Sequence, residues 1–203
     1  MKTRTRYLTQ QLSGSIRWLA LGIEFGSEHV RDGAEKSFNQ QEIIDVVRQI
    51  QVAGINVIGN FIFGLPDDDL DSMEQTLKLA EELNCEFANF YSAMAYPGSP
   101  LYSMAIKKGW ALPETWSGFS QHSYDCLPLP TDTMPAAQVL KFRDAAFDRY
   151  FTGKRYLDMI TQKFGWDTRS HIKQMTVHKL RRKIVEEMEP PALSEMRQMQ
   201  PSA

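Results

Sequence analysis

Between Ile16 and Leu101 short apolar runs alternate with charged stretches whose apolar residues recur at helical spacing. The runs Arg17–Glu24, Asn56–Phe63 and Phe87–Ala95 are bounded by Gly, Pro or charged residues, as buried parallel strands are. The stretch SFNQQEIIDVVRQIQVAG predicts the first intervening helix. Asn39 is its N-cap, Glu42 three positions on completes a capping box, and Gly54 supplies the stop. Ile43, Val46, Val47 and Ile50 form its apolar face. The second helix, DLDSMEQTLKLAEELN, places Leu70, Met73, Leu77, Leu79 and Leu83 largely on one side, with acids in its first turn. Strand–helix–strand repeats require right-handed crossovers and a parallel sheet. Such sheets carry ligands at the carboxyl ends of their strands. Glu24, Gly64 and Tyr96 all fall at that edge, within EFGSE, GLPDDD and AYPGSP.

After Gly109 the periodicity stops. WALPETWSGFSQHSYDCLPLPTDT is 24 residues of aromatic, proline and polar character. A loop of that length is expected to be a functional lid or poorly ordered. Helices are predicted at about Pro135–Phe151, Arg155–Phe164 and Thr168–Met188, and the tail PPALSEMRQMQPSA is expected to be disordered. Three parallel strands leave an open edge that invites aggregation. The opening KTRTRYLTQQL reads as the end of a preceding unit, with a helix beginning near Tyr7. The chain is therefore expected to be the C-terminal portion of something larger.

Composition narrows the classes. The chain has 203 residues, 42% hydrophobic and 24% charged, with a net charge of -2. That balance gives no reason to expect nucleic acid or an anionic membrane as partner. The one basic cluster, HKLRRK, runs straight into VEEMEP and reads as a solvated helix face. No signal peptide or membrane span is read, and the cytoplasm is the expected compartment. Cys85 and Cys126 lie 41 positions apart and the four histidines are scattered, so no zinc or iron–sulfur ligand set is legible and no metal residue is named. Asn60 within an apolar strand requires a partner for its amide. Gly64 and Pro66 suit a turn. Ser99 reads as a helix cap, while His122 and Cys126 lie in the long loop with no visible base–nucleophile pairing.

GIEFGSE followed by a lysine before the next helix, then FIFGLPDD, then AYPGSPLY, resemble in order and spacing the second half of the radical S-adenosylmethionine (SAM) core. The resemblance covers about residues 1–108. The remainder resembles the C-terminal extension of cobalamin-binding members. It implies an α/β fold: the C-terminal half of a partial (β/α)6 TIM-like barrel with parallel strands, then an α-helical extension. The implied parts are the core at 1–108, the aromatic and proline loop at 109–133, the helical extension at 134–189 and the tail at 190–203.

SAM would lie across the strand tips. The resemblance assigns Glu24 to its ribose or amino-acid part, a carboxylate being able to accept from two hydroxyls or an ammonium. It assigns Lys36 to the SAM carboxylate. The family pattern GxIxGxxE maps to Asn60, Ile62, Gly64 and Asp67, departing from it at Asn60 and Asp67. Asn60 would bond a ribose hydroxyl and Ile62 would pack on the adenine, while Asp67 is read as capping the following helix. The backbone of Met94–Tyr96 would read the adenine edge. The bland reading of Glu24 is a strand-end carboxylate bonded to neighbouring backbone, and that of Lys36 a surface lysine.

The family's [4Fe-4S] cluster is held by a CxxxCxxC loop after the first strand, and Cys85 and Cys126 cannot replace it, Cys85 lying at the opposite end of the sheet. Three readings follow. The chain is a truncated or split piece of a radical SAM enzyme, of a cobalamin-dependent methyltransferase or cyclase type. Alternatively, it is a subunit whose missing N-terminal barrel half comes from a cluster-bearing chain. The third reading is a non-catalytic remnant that binds a small molecule or a protein. The small-molecule substrate stays unnamed.

Overall fold

The computed structural model describes residues 16–24 and 39–188. Lys36, the helix expected near Tyr7 and the tail from 190 lie outside the described residues. Three strands, β1 (Trp18–Glu24), β2 (Asn56–Phe63) and β3 (Phe87–Ser92), form one parallel sheet in that order. α1 (Gln40–Val52) and α2 (Leu70–Leu83) make the two crossovers. The result is an α/β arc, part of a TIM-like barrel, followed by a helical region.

Alternation within the strands divides the sheet into two faces. Val57, Phe61, Phe63, Ala88 and Phe90 are buried against the helices. Asn60 and Ile62 of β2 stand opposite Asn89 and Tyr91 of β3 on the other, half-buried face. That second face corresponds to a barrel lumen. Phe90 stacks between Phe61 and Phe63, centroids 5.6 and 5.8 Å away. Tyr150 meets its ring edge-on.

The helices follow their caps with two corrections. Asn39 and Glu42 form the expected capping box. The buried face of α1 is Ile44 and Val47, while Val46 is exposed, so the helix is rotated from the expected stripe. In α2 the N-cap is Asp69, whose side chain accepts from Ser72 N at 2.7 Å. Asp67 is exposed and Leu70, in the first turn, is 47% exposed. Asp69 wins because the cap must stand three residues before the N–H that it accepts from.

β3 ends at Ser92, short of the expected Ala95, because the chain leaves the ladder after Ala93 N donates to Phe63 O. α3 (Pro100–Lys108) starts at Ser99, whose hydroxyl accepts from Tyr102 N as a cap. The 110–133 segment is held by the protein rather than hanging free. It carries a 3-10 turn at Trp116–Phe119, and Leu129 N donates to Ala93 O, beyond β3, at 2.9 Å.

α4 (Ala136–Thr152) packs beside β3 and α2. α5 (Lys154–Val177) breaks at Gly165, whose φ of 87° is outside helical space. Its Phe164 stacks on Trp18 at 5.8 Å. The predicted third helix thus divides: 178–182 is non-helical, and α6 (Lys183–Met188) follows. The HKLRRK cluster is accordingly solvated except at Arg182, and it is not helical before Lys183. Arg182 is 4% exposed and bonds Asp144 through Nε and Nη2. Among the described residues no helix is long and apolar enough to cross a membrane.

Buried polar ties fix the amino end of the sheet. Glu86, just before β3, accepts from Val57 N at 2.7 Å and pairs with Lys163. Tyr150 Oη donates to the Cys85 carbonyl at 2.7 Å. Cys85 is fully buried, and burial pushes its thiol up to about 12.

Candidate functional site

The carboxyl end of β1 is irregular. Its register against β2 slips between Gly22 and Glu24, and Glu24 has φ of 66°. A non-glycine residue in the left-handed region costs energy and recurs at sites where a side chain must be aimed. β-bulges re-aim side chains in the same way. Here the Glu24 carboxylate folds back: its Oε1 lies 3.3 Å from where a β-carbon on Gly22 would stand. A β-carbon at 22 would press on that carboxylate, which would have to shift by a few tenths of an ångström. Gly22 is opposite Asn60, and Asn60 is opposite Asn89. The carboxylate thus lies over the β1 residue that stands opposite a polar pair, Asn60 and Asn89, on the two neighbouring strands.

The pair is internally bonded. Asn60 Nδ2 donates to Leu21 O at 3.0 Å, and Asn89 Nδ2 donates to Asn60 Oδ1 at 2.9 Å. This is the partner that burial of the Asn60 amide demands. Each amide retains one N–H and a lone pair for another molecule. Ile62 stands one step further toward the carboxyl end, opposite Tyr91.

The GLPDDD turn owes its shape to Asp68. That buried carboxylate accepts from Gly64 N at 2.9 Å, Leu65 N at 3.0 Å and Ser72 Oγ at 2.5 Å. Burial raises its proton affinity above the usual carboxylate range, and the three donors pull the other way. Gly64 has φ of 80°, and a β-carbon there would lie 2.3 Å from Val139 Cγ1. Gly64 thus serves the backbone, whatever it also lines.

Tyr96, beyond β3, is half exposed. Its ring stacks on Phe119 at 5.9 Å, and its carbonyl accepts from Ser99 N at 3.0 Å. Met94 and Ala95 beside it are buried. Glu24, Asn60 and Ile62 are brought to one end of the sheet, with Gly64 and Tyr96 beyond the neighbouring strand ends. Lys36 lies outside the described residues.

His122 is exposed, and its imidazole is held below its ordinary range by partial desolvation and by Arg143 and Arg182. Cys126 is buried and its thiol raised by that burial. Among the described residues no three His, Cys, Asp or Glu side chains gather as a metal would require. Asn89, Asp68 and Gln121 were not singled out from the sequence. Only Asn89 left a signal there, a second asparagine inside an apolar strand like Asn60.

No family model matches the sequence. An uncharacterized methyltransferase of Pyrococcus horikoshii is 31% identical over 107 residues, 53% of this chain and 23% of that protein. A tRNA-2-methylthio-N(6)-dimethylallyladenosine synthase of Pseudomonas paraeruginosa is 27% identical over 92 residues, 44% of this chain and 21% of that protein. The matched region is thus a quarter or less of either relative's own length. Coproporphyrinogen III oxidase from Escherichia coli, a radical SAM enzyme, shares the fold over 72% of this chain and 30% of its own, with a TM-score of 0.50 at 17% identity. The structural likeness shows the fold: the described sheet forms part of a TIM-like barrel of the kind that enzyme has.

Proposed function

We propose that the chain supplies the SAM-binding strand tips of a radical SAM enzyme, with the [4Fe-4S] cluster held by protein outside this sequence. The observation that carries this reading is the bulged Glu24, set in left-handed backbone with its carboxylate over Gly22, which stands opposite the Asn60–Asn89 pair. A strained carboxylate at a strand's carboxyl end suits ribose hydroxyls or an ammonium group. Asn60 then offers its remaining amide capacity to a hydroxyl, Ile62 an apolar surface to the adenine, and Gly64 the turn that lets β2 end there. Lys36 is assigned to the SAM carboxylate, and the backbone of Met94–Tyr96 to the adenine edge.

SAM, when bound at a reduced cluster, supplies one-electron, hydrogen-abstracting chemistry. The described residues do not suit the cluster itself, because Cys85 and Cys126 are each enclosed and belong to separate apolar clusters. A cluster-bearing barrel half, in the same protein or in a partner, is therefore part of the proposal. The methyltransferase relative supports methyl transfer as the reaction class; cobalamin as its carrier is part of the proposal and rests on the sequence resemblance alone. The cytoplasm is the compartment this reading fits.

The second reading is a non-catalytic binding module, favoured by the bonds of Asn60 to Leu21 O and Asn89, which satisfy part of its amide within the protein. Calorimetry of SAM against the 203-residue chain and its Glu24→Gln form separates the two. The first reading expects saturable binding, weakened about tenfold or more by loss of the charge. Equal affinities remove Glu24 from the pocket. A folded chain without SAM affinity supports the second reading.

A further inference from the structure

A cavity of about 450 Å3 lies along the outer edge of β3, between that strand, α4 and the stretch that follows α5. Its size is that of a small-molecule site. Phe87, Phe147, Met175 and Leu180 give it apolar walls. Its polar side is built around Arg143, which is only 5% exposed. Arg143 Nε donates to Phe90 O at 2.7 Å and Nη1 donates to Asp144 at 2.7 Å. A guanidinium has five N–H groups, so three remain for another acceptor.

The charges around this cavity do not cancel. Asp144 accepts from Arg143 and also from Arg182 Nε and Nη2. Two enclosed guanidiniums therefore share one carboxylate among the described residues. The other ionic pair on the wall, Lys179 with Asp148, is balanced. His122, on the same wall, is held toward its neutral form by partial desolvation first and by Arg143 and Arg182 after it. One positive charge is left in excess, and buried charge without a counterion is costly.

We propose that this cavity binds a small amphipathic carboxylic acid, with its carboxylate on the Arg143 guanidinium and its hydrocarbon part against Phe87, Phe147 and Met175. A planar carboxylate matches the guanidinium fork. A monoanion balances the single excess charge, whereas a dianionic phosphate would overcompensate it beside Asp144 and Asp148. The apolar walls reward a hydrocarbon or aromatic body rather than a sugar. The site rests on this chain's own side chains and is independent of the SAM reading.

The test is calorimetric titration of the 203-residue chain with 4-phenylbutyrate and with its uncharged amide, 4-phenylbutyramide. The expected result is one saturable site for the acid, with the amide weaker by about tenfold or more. Arg143→Met should abolish the preference for the acid. Because that change also strips Phe90 O and Asp144 of a donor, Leu180→Trp serves as the second variant. It fills the cavity from a half-exposed wall and should remove binding while the circular dichroism and Tm stay those of the parent. Equal affinity for acid and amide overturns the proposal. So does binding that survives Leu180→Trp, or no binding of the acid up to about 5 mM.

Discussion

Replacing Gly64 with alanine tests whether this motif glycine is fixed by packing before any ligand arrives. Its φ of 80° lies in the left-handed region, and the new β-carbon would fall 2.3 Å from Val139 Cγ1 and 3.2 Å from Cγ2. Left-handed backbone costs an L-residue about 1–2 kcal/mol. Forcing a methyl into a filled core costs about 1–3 kcal/mol more. Val139 is fully buried and sits on α4, so it cannot yield without moving that helix off the sheet. Gly64→Ala should therefore lose about 2–5 kcal/mol in urea unfolding followed by far-ultraviolet circular dichroism. The second half is a cycle with Val139→Ala. That change alone should cost about 1–3 kcal/mol for the lost methyls and the space they leave. In the double variant the contacts with the two Val139 methyls are gone, while the backbone strain and a 3.3 Å approach to Val139 Cβ persist. The double loss should fall short of the sum by about 1–2 kcal/mol. Additive losses would refute the contact, and an unchanged stability in Gly64→Ala would refute both terms.

Two further outcomes are expected. Glu86→Ala leaves the Val57 N–H and Lys163 without their buried carboxylate and should cost about 3 kcal/mol or more in the same assay; a loss below about 1 kcal/mol would show that solvent replaces it freely. Cys85 and Cys126 should resist a thiol reagent in the folded chain and react when it is unfolded, since both are buried and burial raises both thiols. Prompt labelling of Cys85 in native buffer would place it at the surface.

The sheet was legible because each strand is a short apolar run between recognisable caps. Asn39 with Glu42 marked the start of α1, and β2 was bounded to the residue. The failures share a cause: each turned on tertiary partners that no local pattern encodes. HKLRRK has the composition of a solvated surface, yet Asp144 on α4 draws Arg182 inside. The run GLPDDD offers three aspartates to choose from, and only the fold separates them: Asp67 exposed, Asp68 buried under the turn, Asp69 at the cap. The long loop looked loose because its anchors are side chains reaching back to β3, Gln121 foremost. At the candidate site the position of Glu24 followed from strand length, whereas its left-handed backbone and the space over Gly22 did not. A bulge is a misfit between two strands, and a single strand's sequence does not record it.

Gln121 accepts from Ser92 N at 3.0 Å and donates to Ser92 O at 2.9 Å, while Arg143 occupies Phe90 O. One side-chain amide thus imitates a strand neighbour along the outer side of β3. The other end of the sheet, β1, has no strand beyond it among the described residues. The sheet is consequently polar in its capacity to grow. Head-to-tail stacking of copies, β1 of one on β3 of the next, would generate an open filament, and the occupied peptide groups of Phe90 and Ser92 oppose that step. Among the described residues, sheet extension is thereby disfavoured at β3 and left to the β1 side.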